Sequence, residues 1–173
     1  MSPMISLPAR NEAAPYYFTY IDRIKNPDIL AELESQLGDT LPFLQAVSAE
    51  KSLHRYAAEK WSIRQVWNHV NDTERAFAFR ALWFARGFDS PLPSFDQNIS
   101  SRGANADDYS WASHIDEFRT VRLASLTLFR NMPADAWSRT GIASDNSFTV
   151  RALAYIIAGH VAHHRSILET RYL

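Results

Sequence analysis

The sequence predicts an all-α domain, a four-helix bundle, from three observations. Only five of its 173 residues are glycine. Its eight prolines fall mostly between periodic segments. Four segments of about 20 residues repeat apolar side chains every three or four positions, the mark of a helix with one face turned to a core. The chain is read as a single domain over 1–173, with 1–26 as an N-terminal arm or short helix rich in aromatics: Tyr16, Tyr17, Phe18 and Tyr20.

The first helix is expected from about Pro27 to Ser48. Proline suits the first helical position, and Ile29, Leu33, Leu37, Leu41 and Leu44 form the apolar stripe. Pro42 conflicts with it, because proline removes a backbone donor and should kink or split the helix. The second helix begins after Ser62, where Ser62-Ile63-Arg64-Gln65 matches a capping box; Val66, Val70, Phe77, Ala81 and Phe84 follow, and Gly87 ends it. Residues 88–109 are rich in Pro, Ser, Asn and Asp and read as a long loop, a place where function often sits. The third helix spans about Trp111 to Asn131, with Phe118, Val121, Ser125, Leu128 and Met132 on one face and Pro133 as the stop. A polar connection through about Ser147 leads to the fourth helix, capped by Thr149 and running almost to the end.

Composition excludes several functions. The net charge is −1, so no bulk attraction to nucleic acid or anionic lipid is expected. No apolar run reaches membrane-spanning length. The start, Met1-Ser2-Pro3-Met4-Ile5-Ser6-Leu7-Pro8, lacks the basic and apolar regions of a signal peptide, and a cytoplasmic protein is expected. With no cysteine, disulfides, cysteine ligands and a cysteine nucleophile are all excluded.

The chemistry concentrates in histidines. Leu153, Ile157, His160, His164 and Ile167 are spaced 4, 3, 4, 3, so two imidazoles stand where a core stripe would carry aliphatic side chains. Burying them unpartnered costs free energy, and a divalent metal bound to both would remove that cost. His69 lies mid-way along the second helix on its apolar side, near Val66, Val70 and Thr73. Three histidines plus one open position is the pattern of a catalytic metal site, although a lone mid-helix histidine is more often a hydrogen-bonded core residue. His163 competes as a ligand through its spacing from His160, but it groups with Ile156, Gly159 and Ser166 and reads as a flank. His54 and His114 read as surface or loop-proximal. Val161 after His160 excludes the H-E-x-x-H site, and no Glu-x-x-His, P-loop or G-x-G-x-x-G occurs.

Several motifs together resemble a known family. They are Lys60-Trp61-Ser62-Ile63, Trp67-Asn68-His69-Val70, Asp72-x-Glu74-Arg75, Phe84-Ala85-Arg86-Gly87, Phe95-Asp96-Gln97, Arg122, Gly159-His160-x-x-His163-His164 and Arg171-Tyr172-Leu173. The combination resembles the YfiT-like branch of the DinB superfamily from about Tyr16 onward. The resemblance implies an up-down-down-up bundle, often a homodimer. It also implies a metal held by one histidine of the second helix and an H-x-x-x-H pair of the last. Carried over, these are His69, His160 and His164; the resemblance, not spacing, brings His69 to the pair. Family activities include transfer of low-molecular-weight thiols such as bacillithiol or mycothiol, and a mycothiol-dependent maleylpyruvate isomerisation.

Three functions follow as expectations, all on a small molecule. The first is transfer of a low-molecular-weight thiol to a small electrophile, the metal, zinc or nickel, making the thiol more acidic. The second is hydrolysis by a metal-activated water, with Asp96 as general base and Arg122 stabilising an anionic substrate. Against these two roles stand a loop-capping aspartate and a helix-surface arginine near Glu117 or Glu169. The third is a non-catalytic metal-binding, stress-inducible protein. Its fourth coordination position would be closed by Asp96 or Glu74, or its cavity plugged by Tyr16 or Tyr20. Trp67, Phe77, Trp83 and Phe84 serve either as plain core or as pocket walls.

Overall fold

In the computed structural model, which describes residues 5–173, the chain forms six α-helices: α1 Phe18–Ile21, α2 Ile29–Gln45, α3 Ile63–Ala85, α4 Gln97–Ala104, α5 Trp111–Arg130 and α6 Val150–Ile167. A hairpin, β1 Thr140–Ala143 and β2 Asn146–Thr149, precedes α6. The bundle itself is α2, α3, α5 and α6. The reading of Met1 to Met4 as no signal peptide lies outside the described residues. No described helix is long and apolar enough to cross a membrane.

Hydrogen bonds between helices establish their directions. Tyr155 Oη lies 3.1 Å from both Asn26 O and Pro27 O, and Gln36 Nε2 donates to Ala158 O, so α2 and α6 run parallel. Arg64 Nη1 donates to Tyr109 O and Arg122 Nε to Glu74 Oε1, so α3 and α5 also run parallel. Trp111 Nε1 to Leu44 O and Arg122 Nη1 to Leu33 O set α5 against α2. Tyr172 Oη to Trp61 O, with His69 beside His160, sets α6 against α3. The order is up-down-down-up.

Most helix ends follow from local chemistry. Ser62 Oγ accepts from Gln65 N at 3.1 Å while Gln65 Oε1 accepts from Ser62 N at 3.0 Å, completing the capping box. Gly87, with φ 82°, turns the chain out of α3. Ser110 and Thr149 cap α5 and α6. Asp28 caps α2, its Oδ1 accepting from Leu30 N and Ala31 N, so Ile29 takes the first helical position expected for Pro27. Pro42 does not split α2. It lies in the last turn, where the carbonyl it frees belongs to exposed Gly38 and can be hydrated.

Two expectations are corrected. The fold is not strictly all-α. The β1–β2 pair closes through Ser144 and Asp145, both at positive φ (51° and 59°), a primed turn formed without the Asn-Gly signature that would have announced it. Residues 88–109 are not a structureless loop. Leu92 pairs with the hairpin, Asp96 starts α4, and a 3₁₀ turn follows at Ala106–Asp108. The arm, described from Ile5, packs on α6, and Glu12 accepts from Thr149 Oγ1 at 2.8 Å and Arg151 Nε at 2.9 Å.

The core is two apolar clusters with a polar layer between them. One holds Ile29, Leu33, Phe77, Phe84, Leu126, Phe129, Val150 and residues 152–158; the other holds Leu44, Ile63, Val66, Trp67, Trp111, Phe118, Val161 and Leu168. Each bundle helix crosses the layer with a polar side chain: Gln36 of α2, His69 and Glu74 of α3, Arg122 of α5 and His160 of α6. α6 is apolar nearly all round from Ala152 to Val161 and buried on every side there, because the arm and α1 cover the face the bundle leaves open.

Candidate metal centre

His69, His160 and His164 meet in the polar layer, one potential ligand atom of each within 4.8 Å of the others. His160 Nε2 lies 3.0 Å from His69 Nε2 and 3.1 Å from His164 Nε2. A tetrahedral ion with bonds of about 2.0–2.1 Å would space its nitrogens about 3.3 Å apart, so the rings already stand near coordination distance. Helical geometry places His164 one turn above His160 on the same face. His69 comes from the antiparallel α3.

Electrostatics prepare the three rings as ligands. Burial pushes His69 down to about 4, against a weaker upward pull from Asp72. Burial, followed by neighbouring imidazoles, holds His160 and His164 well below the ordinary histidine value. All three are therefore neutral at pH 7, each with a lone pair to offer. Thr73 Oγ1 sits 3.3 Å from His69 Nδ1, orienting that ring from behind, while His164 Nδ1 is buried without a partner. Three Nε2 atoms pointing at one spot cannot all be satisfied by hydrogen bonds to one another, since a neutral imidazole donates from only one nitrogen. A cation resolves this, so the residues fit a divalent metal.

A cavity of about 150 Å³ opens onto two of the three histidines, His69 and His160, and is walled by Tyr16, Tyr17, Tyr20, Thr73, Phe77, Arg80 and Phe95 among others. The ring of Tyr20 packs edge-on against His160 and His163 at 5.3 and 5.4 Å, and its hydroxyl lies 3.0 Å from that of Tyr16. Gly159 makes this approach possible: a Cβ there would stand 2.2 Å from Tyr20 O. Burial, then Tyr16, raises the Tyr20 phenol far above its ordinary value, so it stays protonated.

The other candidate residues lie elsewhere. His163 is half-buried and outside the trio, as its flank position implied. His54 is exposed, but His114 is buried, 2.8 Å from Ala106 O, because the 3₁₀ turn folds over it. Asp96 is fully exposed and caps α4, accepting from Asn98 N and Ile99 N; those bonds hold its carboxyl below the usual range. It does not border the cavity, unlike its neighbours Phe95 and Gln97. Arg122 is no surface residue. It is wholly buried, bidentate to Glu74 at 2.9 Å and bonded to Leu33 O and Gln36 Oε1, with no face toward the cavity. Glu74 is thereby taken up by Arg122, and Asp96 by its cap, so neither closes a fourth coordination position. Trp67 and Phe84 are core, while Phe77 is both core and cavity wall.

Sequence reading passed over Arg80. It follows His69, Thr73 and Phe77 on the buried stripe of α3, and a charged residue in that stripe was the available signal.

A family model described as the DinB superfamily matches residues 32–168. Among solved structures, the chain is similar to YfiT from Bacillus subtilis, described as a probable metal-dependent hydrolase with an unusual four-helix bundle topology. The two share 16% identity, with 83% of this chain and 85% of that one covered and a TM-score of 0.70. No curated protein matches the chain.

Proposed function

Because the chain belongs to the DinB superfamily, we propose that it is a metal-dependent hydrolase of a small molecule, with His69, His160 and His164 holding one divalent ion, zinc or nickel. One observation carries the reading: three neutral imidazoles converge, two of them buried and lining a cavity and the third, His164, partly buried behind them. The YfiT description supports the reaction class. An ion held there supplies Lewis acidity toward water and toward a polarisable substrate group.

The chain's own residues do the rest. Uncharged histidines leave the ion's full charge in place. Thr73 orients His69, and the wall of Tyr20 and Phe77 limits access of bulk water. The Tyr20 hydroxyl, kept protonated, would offer a hydrogen bond to a substrate oxygen rather than give up its proton. A cavity of about 150 Å³ suits water as the second reactant better than a bulky thiol. The scaffold positions of Asp96 and Arg122 leave the general-base and anion-binding roles first considered for them without support.

Thiol transfer is the second reading. A wider apolar pocket of about 520 Å³ shares Ala76, Arg80 and Phe95 with the cavity and gives room for an organic co-reactant, and a chain without cysteine would need an external thiol.

The test starts with metal analysis of the purified protein and zinc and nickel titrations of wild type and His160→Ala. Activated esters and an aryl halide are then assayed with and without a low-molecular-weight thiol. Metal lost in the variant, with ester turnover independent of thiol, supports hydrolysis. Turnover only with thiol replaces it with the second reading. Tight metal binding without turnover of either substrate class removes both in favour of a non-catalytic metal-binding protein.

A further inference from the structure

Arg80 is a buried cation with no counter-ion. It is 5% exposed, and among the described residues no carboxylate forms an ion pair with it. Its Nη2 donates to Ser144 Oγ at 2.9 Å and to Pro93 O at 3.4 Å, and its guanidinium lies 5.3 Å from the centre of the Phe77 ring. The Tyr17 hydroxyl also faces it and is kept protonated by burial, so all of its partners are neutral. Asp72, the acid in the adjoining pocket, is already bound by Asn68, Ser100 and Arg75. An uncompensated buried charge is costly, and an anion seated against it would offset that cost.

The position of Arg80 says where that anion sits. Its side chain borders both the cavity over the histidines and the wider apolar pocket, at the wall the two share. Its Cα is eleven residues beyond that of His69 on the same helix, about 16 Å along the axis, and helical side chains lean back toward the N-terminus. A ligand held at Arg80 therefore extends one end toward the trio and leaves an apolar body against Phe79, Leu92 and Phe95. Guanidinium pairs best with planar oxyanions, in a bidentate fork.

We propose that Arg80 is the docking residue for the carboxylate of the substrate, so that the enzyme acts on a small carboxylic acid with an apolar body. The link to catalysis rests on the trio as the reactive centre; the docking itself needs no metal.

The experiment therefore uses metal-stripped protein. Benzoate, benzamide and inorganic phosphate are titrated calorimetrically into wild type, Arg80→Met, Arg80→Lys and His160→Ala, and zinc is titrated separately. Wild type is expected to bind benzoate and not benzamide. Arg80→Met should lose affinity by about tenfold or more, with part restored in Arg80→Lys. Replacing an unpaired buried charge with an apolar group of similar size should leave the fold intact. His160→Ala should keep benzoate binding while losing zinc. The proposal is overturned if wild type does not bind benzoate, if benzamide or phosphate binds as well, or if Arg80→Met binds benzoate like wild type. Absence of zinc binding with Arg80-dependent benzoate binding retained would refute the metal reading and support the docking site.

Discussion

Stripping the metal should make this protein sensitive to mild acid, and the amount can be worked from the histidines. In the folded chain burial pushes His69 down to about 4, and His160 and His164 also lie well below their ordinary value. The unfolded chain takes up those protons as pH falls through about 6.5, while the folded chain does not. Stability is therefore full above about 6.5 and declines below it, because the unfolded state binds more protons. The slope approaches about 1.4 kcal/mol per pH unit for each imidazole kept neutral, so about 4 kcal/mol per unit for three. Between pH 6.5 and about 4, His69 alone accounts for on the order of 3 kcal/mol. Set against a total of about 5–15 kcal/mol, this should lower the urea midpoint of the stripped protein clearly by pH 5. Zinc at a hundredfold excess over its dissociation constant should restore about 2.7 kcal/mol at neutral pH. Urea unfolding between pH 8 and 5, with chelator or with zinc, measures both effects. His69→Gln should flatten the slope. A stripped protein whose stability does not change between pH 7 and 5, or a His69→Gln variant with the wild-type slope, would refute the reasoning. Glu12 adds a separate acid transition. Burial raises its carboxyl, but bonds from Arg151, Ala9 N and Thr149 outweigh that and leave it below its ordinary value. Its contribution is present above about 4.5 and lost only at lower pH, outside the histidine window.

Three further outcomes are expected. Arg122→Met should cost about 3–5 kcal/mol in urea unfolding by leaving Glu74 buried and unpaired, and Arg122→Met with Glu74→Leu should recover most of it; equal losses in both would contradict the ion-pair account. Gly159→Ala should push α1 off α6 through Tyr20 O, lowering stability by about 1–3 kcal/mol and speeding exchange of bound metal with a chromogenic chelator; unchanged exchange would mean that Tyr20 does not cover the site. The homodimer is a proposal that can be tested at the apolar groove of Phe79, Leu82, Val121 and Leu128 between α3 and α5, where Phe79 is 51% exposed. Sedimentation equilibrium should give twice the chain mass, reduced to a monomer by Phe79→Glu; a monomeric wild type would remove that expectation.

The four bundle helices were readable in advance because their signals are local. The Ser62 capping box, the Thr149 cap, Gly87 and the three-four apolar spacing each act within one or two turns. The His160–His164 pair was readable for the same reason, since one helical turn is a property of a single segment. The chain alone thus determined the helices and one face of the centre. Tertiary structure decided what depends on residues far apart in sequence: that His69 completes the trio, and that Arg122 turns inward to Glu74 rather than outward to water. It also decided that Asp96 caps a helix inside an apparent loop, and that Arg80 stands unpaired at the cavity wall. The reason is physical. Whether a charged side chain is solvated, paired or left waiting for a ligand is set by what the neighbouring helices place opposite it, and no spacing within one helix encodes that.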